Sequence, residues 1–83
     1  MAQGEIVERV VRFIVREIVD NPEEVKVEII EEGPDRVTAE VSTAKSDMGR
    51  VIGKRGRVAN AIRTIAQVAA EEEGLEAGVE FLD

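Results

Sequence analysis

The chain contains no cysteine, histidine, tryptophan or tyrosine, and only two phenylalanines and two prolines in 83 residues. Without cysteine there is no disulfide framework and no thiolate metal site. Without histidine the commonest general base and the imidazole metal ligand are missing as well. The shortage of aromatics removes most of the ring platforms on which single-strand binders stack bases. Strictly apolar runs are only a few residues long, far below the roughly 20 needed to span a bilayer. The N-terminus has acid close to Met1 and lacks a basic region followed by an apolar one, so no signal peptide is expected and the expected location is the cytoplasm. The whole chain, residues 1–83, reads as a single domain. A domain of this size buries only about 60–65% of its unfolded surface, so its support must come from close packing, ion pairs or a partner subunit.

What is present is 43% hydrophobic and 35% charged, a globular composition with a formal net charge of −7. The charge is unevenly distributed. Between Lys45 and Arg63 stand six cations (Lys45, Arg50, Lys54, Arg55, Arg57, Arg63) and one acid, Asp47, a local charge of +5. The remaining residues hold five cations and 17 acids, or −12. Net charge alone argues against a nucleic-acid ligand; this segment argues for one.

Apolar periodicity supplies the elements. Ile6, Val7, Val10, Val11, Ile14, Val15 and Ile18 recur at helical spacing, with Glu8, Arg9, Arg12, Arg16 and Glu17 between them. This predicts a helix over residues 5–20, ended by Asp20-Asn21-Pro22 because the residue before proline avoids the α region. The β-branched residues in the run disfavour a helix locally, but the period decides. The stripe is wide, extended by Phe13, which suits either a well-buried helix or one that also packs on a second subunit. Residues 24–43 form two alternating runs about Gly33-Pro34-Asp35, an antiparallel hairpin. Val25, Val27 and Ile29 face one way in the first run, and Val37, Ala39 and Val41 in the second. Residues 46–73 read as helix, glycine turn, helix. Ser46 or Asp47 is a candidate cap for one or two turns, Gly53 ends them, and Gly74 ends the longer helix. Residues 75–82 form a last strand. The result is a two-layer α+β sandwich of order αββααβ, three helices on one face of a three-stranded mixed sheet. If the last strand pairs with the first after its helical crossover, the pairing is parallel and the first strand is central. Met1 to Gly4 reads as a loose start.

The stretch Val51-Ile52-Gly53-Lys54-Arg55-Gly56-Arg57 carries the chemistry. Glycines at both corners permit left-handed dihedrals and leave no Cβ in the way of a phosphodiester backbone. The free amides opening the next helix, with its dipole, favour an anion there. Lys54 and Arg55 add charge without demanding a particular base, and Arg50, Arg57 and Arg63 lie along the flanking helices. Val51, Ile52 and Ile62 are candidates for an apolar floor or its support. A bare Gly-x-x-Gly spacing is common and often only a structural corner; cations, apolar lead-in, flanking helices and charge reversal together favour nucleic acid. Gly49-x-x-x-Gly53-Lys54 is one residue short of a P-loop and has Arg55 where magnesium needs a hydroxyl. Ser42-Thr43-Ala44-Lys45 closes a strand instead of opening a catalytic helix. Glu71-Glu72-Glu73 points in three directions about a helix and reads as a solvated end. No enzyme, cofactor or metal site is indicated.

The βααβ order around Val51-Ile52-Gly53-Lys54-Arg55-Gly56 resembles a KH domain, whose signature is an Ile-Gly-x-x-Gly turn between two helices. The preceding helix and strand resemble the type II arrangement. The run from Asp47 to Thr64 is similar to the small bacterial KhpA family of RNA-binding proteins, and the likeness covers nearly the whole chain. The resemblance implies single-stranded RNA held over about four nucleotides. Gly53, Lys54, Arg55 and Gly56 would be the phosphate clamp, and Val51, Ile52 and Ile62 its groove or support. It further implies a role as a bacterial post-transcriptional regulator or RNA chaperone, self-association as a homodimer, and pairing with a larger KH protein of the KhpB (Jag) type. One departure is Ala59, where many KH domains carry a branched apolar residue; a shallower floor or a closer helix contact would follow. The alternative from another class is a protein-interaction or dimerisation module with secondary nucleic-acid binding.

Overall fold

The computed structural model describes residues 3–82. Its elements are α1 (Glu5–Ile18), β1 (Lys26–Gly33), β2 (Arg36–Ser42), α2 (Met48–Ile52), α3 (Arg57–Glu71) and β3 (Glu76–Leu82). Short 3₁₀ turns occupy Pro22–Glu24, Lys45–Asp47 and Lys54–Gly56.

β1 and β2 form the antiparallel hairpin, with Val27 opposite Val41 and Ile29 opposite Ala39. β2 then pairs in parallel with β3, Val37 beside Ala77 and Val41 beside Phe81. The sheet order is therefore β1-β2-β3. This corrects the expectation that the first strand is central. The hairpin takes one edge of β2, and the α2–α3 crossover returns the chain to the other edge as a parallel neighbour. The central place suits β2, whose Val37, Ala39 and Val41 are fully buried and whose outward Thr38 is buried too.

The three helices cover one face. Val7, Val11 and Val15 of α1, Val51 of α2, and Ile62, Ala66 and Ala70 of α3 close on Val37, Ala39, Val41 and Val79. Small alanines along α3 permit close approach of α1, since a core at crystal-like density leaves no room for slack.

Two further expectations change. Met1 and Ala2 lie outside the described residues, but Gln3 and Gly4 are not loose. Gln3 Nε2 donates to Pro34 O at 2.8 Å, and the buried Gly4 donates its amide to Glu73 at 3.0 Å. Helix α1 also stops at Ile18 rather than residue 20, because the amides of Asp20 and Asn21 are used elsewhere, on Asp47.

Candidate nucleic-acid interface

Helix α2 is short because Gly53 ends it. The Gly53 amide still donates to Gly49 O at 2.9 Å, but its dihedrals, φ 76 and ψ 168, turn the chain out of the helix. A Cβ on Gly53 would lie 2.5 Å from Val58 Cγ2 and 2.9 Å from Val58 N, so any side chain there collides with the start of α3. Gly56, at φ 71 and ψ 17, caps α3 in the left-handed region and closes the turn through its amide on Gly53 O at 3.1 Å. Arg55 lies between them at φ 58, ψ 26, the one non-glycine with positive φ among the described residues. A left-handed arginine costs roughly 1–2 kcal/mol.

The turn presents its cations outward. Lys54, Arg55 and Arg57 are exposed and form no ion pair among the described residues. Arg50, on α2, is also exposed but pairs with Asp20 at 3.2 Å. Arg63 is not gathered with them. Its Nε donates to Val79 O at 3.3 Å, its Nη1 to Asn60 Oδ1 at 3.1 Å, and its guanidinium lies 5.3 Å from the Phe81 ring centroid. It fastens α3 to the outer edge of β3, where Gln67 Oε1 also accepts from the Ala77 amide at 3.0 Å.

The apolar candidates divide. Val51 and Ile62 are fully buried, so they support the turn from below and offer no surface. Ile52 is half-buried beside the turn, and Val58, also half-buried, joins it there through its contact with Gly53. Ala59 is buried.

Asp47 holds this corner in place. Its N-capping position carries no side-chain cap hydrogen bond; the carboxylate turns away from α2 instead. It accepts from the Asp20 amide at 3.2 Å, the Asn21 amide at 3.1 Å and Asn21 Nδ2 at 3.0 Å. Burial pushes the carboxyl up; the Asn21 side chain, the two amides and the Arg50 charge together outweigh it and hold it below its ordinary value. The sequence showed Asp47 only as a cap candidate, because its partners lie 26 and 27 residues away. Among the described residues no group of three acids could hold a metal ion.

A βααβ core with a glycine-bounded turn between its helices, preceded by a helix and a strand that flanks the central one, defines a type II KH domain. The chain belongs to the KhpA/KhpB family of such domains, whose family model, described as KhpA/KhpB, KH domain, matches residues 8–81. It is similar to proteins named RNA-binding protein KhpA. One, from Borreliella burgdorferi, is 40% identical over 73 residues, covering 88% of each chain. Another, from Clostridium perfringens, is 41% identical over 73 residues, 87% of this chain and 95% of the relative. A third, from Caldanaerobacter subterraneus, is 43% identical over 72 residues with the same coverage, 87% and 95%. Membership in this family of binding domains means that the chain is not an enzyme.

Proposed function

We propose that the chain binds single-stranded RNA by clamping its phosphates at Gly53–Gly56. The observation that carries this reading is the turn itself. Lys54, Arg55 and Arg57 stand exposed and unpaired among the described residues, on a backbone that only glycine permits at Gly53. A strand laid over the two glycines can approach the main chain, and its phosphates meet the cations and the amides opening α3. Ile52 and Val58 supply an apolar ledge for bases. With no aromatic at the turn, the site grips backbone more firmly than it reads sequence. The relatives' name, RNA-binding protein KhpA, supports RNA as the nucleic acid. The cellular role consistent with the family is that of a post-transcriptional regulator or RNA chaperone, working alongside a larger KhpB-type KH protein.

The decisive variant is Lys54→Asp with Arg55→Asp. It is expected to keep its melting curve and to lose single-stranded RNA affinity by at least tenfold. The parent's affinity should fall with salt by about 0.7 log units per log unit for each phosphate neutralised, about 2 for three phosphates. A folded double variant that binds as well as the parent removes the clamp.

A second reading, self-association, is favoured by α3. Ile65 is 42% exposed and Val68 59% exposed, at successive turns after the exposed Ala61, on a face that nothing among the described residues covers. This is a better dimer seam than the Ile6–Val19 stripe, whose apolar residues are largely used in the core. Sedimentation of the parent beside Val68→Glu tests it: a parent that stays monomeric at all concentrations excludes the homodimer.

A further inference from the structure

The clamp leaves one charged surface unused, the outward face of α1. Val7, Val11 and Val15 point into the core. On the opposite side Arg9, Arg12 and Arg16 succeed one another at about one turn, roughly 5.4 Å each. Phe13 stands among them, 66% exposed. With Glu17 and Pro22 these four side chains line a shallow depression. Arg12 is paired with Glu8 on its own helix, whereas Arg9 and Arg16 form no ion pair among the described residues.

We infer that this face is a second single-stranded RNA contact, in which a base stacks on Phe13 and the neighbouring phosphates pair with Arg9 and Arg16. The inference rests on the clamp reading and extends its footprint. Three observations choose RNA as the occupant. The first is charge: α1 holds three acids and three arginines, but Arg9 and Arg16, exposed and without an ion pair among the described residues, stand on the face that carries Phe13. The second is the aromatic. The turn has none, Phe81 is covered by Arg63, and Phe13 is the one phenyl ring open to solvent. A ring flanked by arginines is the pairing that stacks a base and holds its phosphates, with little sequence demand. The third is continuity. Arg50, three residues before Gly53, is paired with Asp20, two residues past the end of α1 and four past Arg16. The Asp20–Arg50 pair therefore ties the α2 side of the turn to the end of α1 that carries Arg16. An acidic protein segment is the competing occupant, and the test separates the two.

The experiment measures binding of two oligouridines, one of about five nucleotides, enough for the clamp alone, and one of about fifteen. Arg9→Gln with Arg16→Gln is expected to leave the short oligomer's affinity unchanged. It should weaken the long one about tenfold and lower its salt slope by about 1.4. Phe13→Ala should also weaken the long oligomer about tenfold, and Phe13→Leu, which keeps the apolar bulk without the ring face, should not restore it. Ultraviolet crosslinking of the long oligomer to the parent chain, mapped by mass spectrometry, should place an adduct on Phe13. This readout does not depend on how the variants fold. Unchanged long-oligomer affinity in all three variants, with adducts confined to the turn, overturns the second contact and leaves the clamp standing. Loss of a protein partner without loss of RNA affinity overturns it in favour of protein docking. A parent that binds neither oligomer overturns the clamp and this extension together.

Discussion

Arg55 holds the least comfortable backbone among the described residues. Its φ of 58 belongs to glycine or asparagine, yet glycines stand on either side of the Lys54-Arg55 pair rather than at this position. Strain of this kind persists where the surroundings impose it and concentrates at functional sites. Arg55→Gly should therefore stabilise the fold by about 0.5–1 kcal/mol, the relief of strain being partly offset by glycine's larger unfolded entropy. The same change should weaken RNA binding and reduce the salt slope by about 0.7. Urea melts and anisotropy titrations read the two effects separately; a loss of stability would show that the arginine side chain supports the turn by contacts of its own. Asp47 makes a residue-scale prediction of the opposite kind. Its folded pKa lies below the ordinary 3.8. The carboxylate's contribution is therefore complete above the unfolded value, about 3.9, and is lost as pH falls through the lower, folded one. Stability should drop on acidification across that window. Asp47→Asn should be less stable at pH 7, with a flatter acid limb, since its amide presents donors to the Asp20 and Asn21 amides. An unchanged acid limb in the variant would assign acid unfolding to other carboxylates.

At the scale of elements, α1 and α3 are joined by a cap that crosses the chain. Glu73, just past α3, accepts from the amides of Gly4 and Ile6 at 3.0 Å and Val7 at 3.4 Å. It is a carboxylate at the positive end of α1, satisfying amides that the helix cannot satisfy itself. In the sequence, Glu71-Glu72-Glu73 looked like a solvated helix end, and that reading holds for Glu71 and Glu72, which are exposed. Glu73→Gln should cost about 1 kcal/mol and Glu73→Ala about 1–2; Glu72→Ala should stay within about 0.5. Equal effects at Glu72 and Glu73 would reject the cap. The contrast shows what periodicity can and cannot disclose. The helix of Val7, Val11 and Val15, the alternation of Val37, Ala39 and Val41, and the glycine ending α2 are local patterns, and each element appeared near its expected place. The partners of Glu73, Asp47 and Arg63 are set by tertiary approach, and no spacing announces them. The position of β3 was misjudged for the same reason: alternation identifies a strand but not its neighbour. At the site, the Gly53–Gly56 turn was legible because glycine and charge are local signals. The burial of Val51 and Ile62 and the engagement of Arg63 with β3 were not, because they depend on which way each helix faces.

Over the whole molecule, the net charge has an address. From Lys26 through Ser42, and again along β3, two cations stand against seven acids. On the open face of the sheet, away from the helices, Glu28, Glu40 and Glu80 are directly paired across the three strands. Three like charges in one row oppose the pairing that the backbone makes. Two rows along the same face the charges are better matched, since Arg36 sits beside both Glu32 and Glu76. These acids cover the open face of the sheet, opposite the helices, with negative charge, a field that disfavours a polyanion there. That arrangement carries a stability cost, and the central residue of the row measures it. Glu40→Thr removes one charge from between two others and places a β-favouring side chain on the central strand. It should stabilise the fold by about 0.5–1 kcal/mol at low salt, and less in high salt, where screening already quiets the row. RNA affinity should rise slightly and by the same factor for short and long strands, because only the long-range field changes. Thermal melts at two ionic strengths decide the matter: if Glu40→Thr is no more stable than the parent at low salt, the row is not strained and the acids of the open face must be held by contacts of their own.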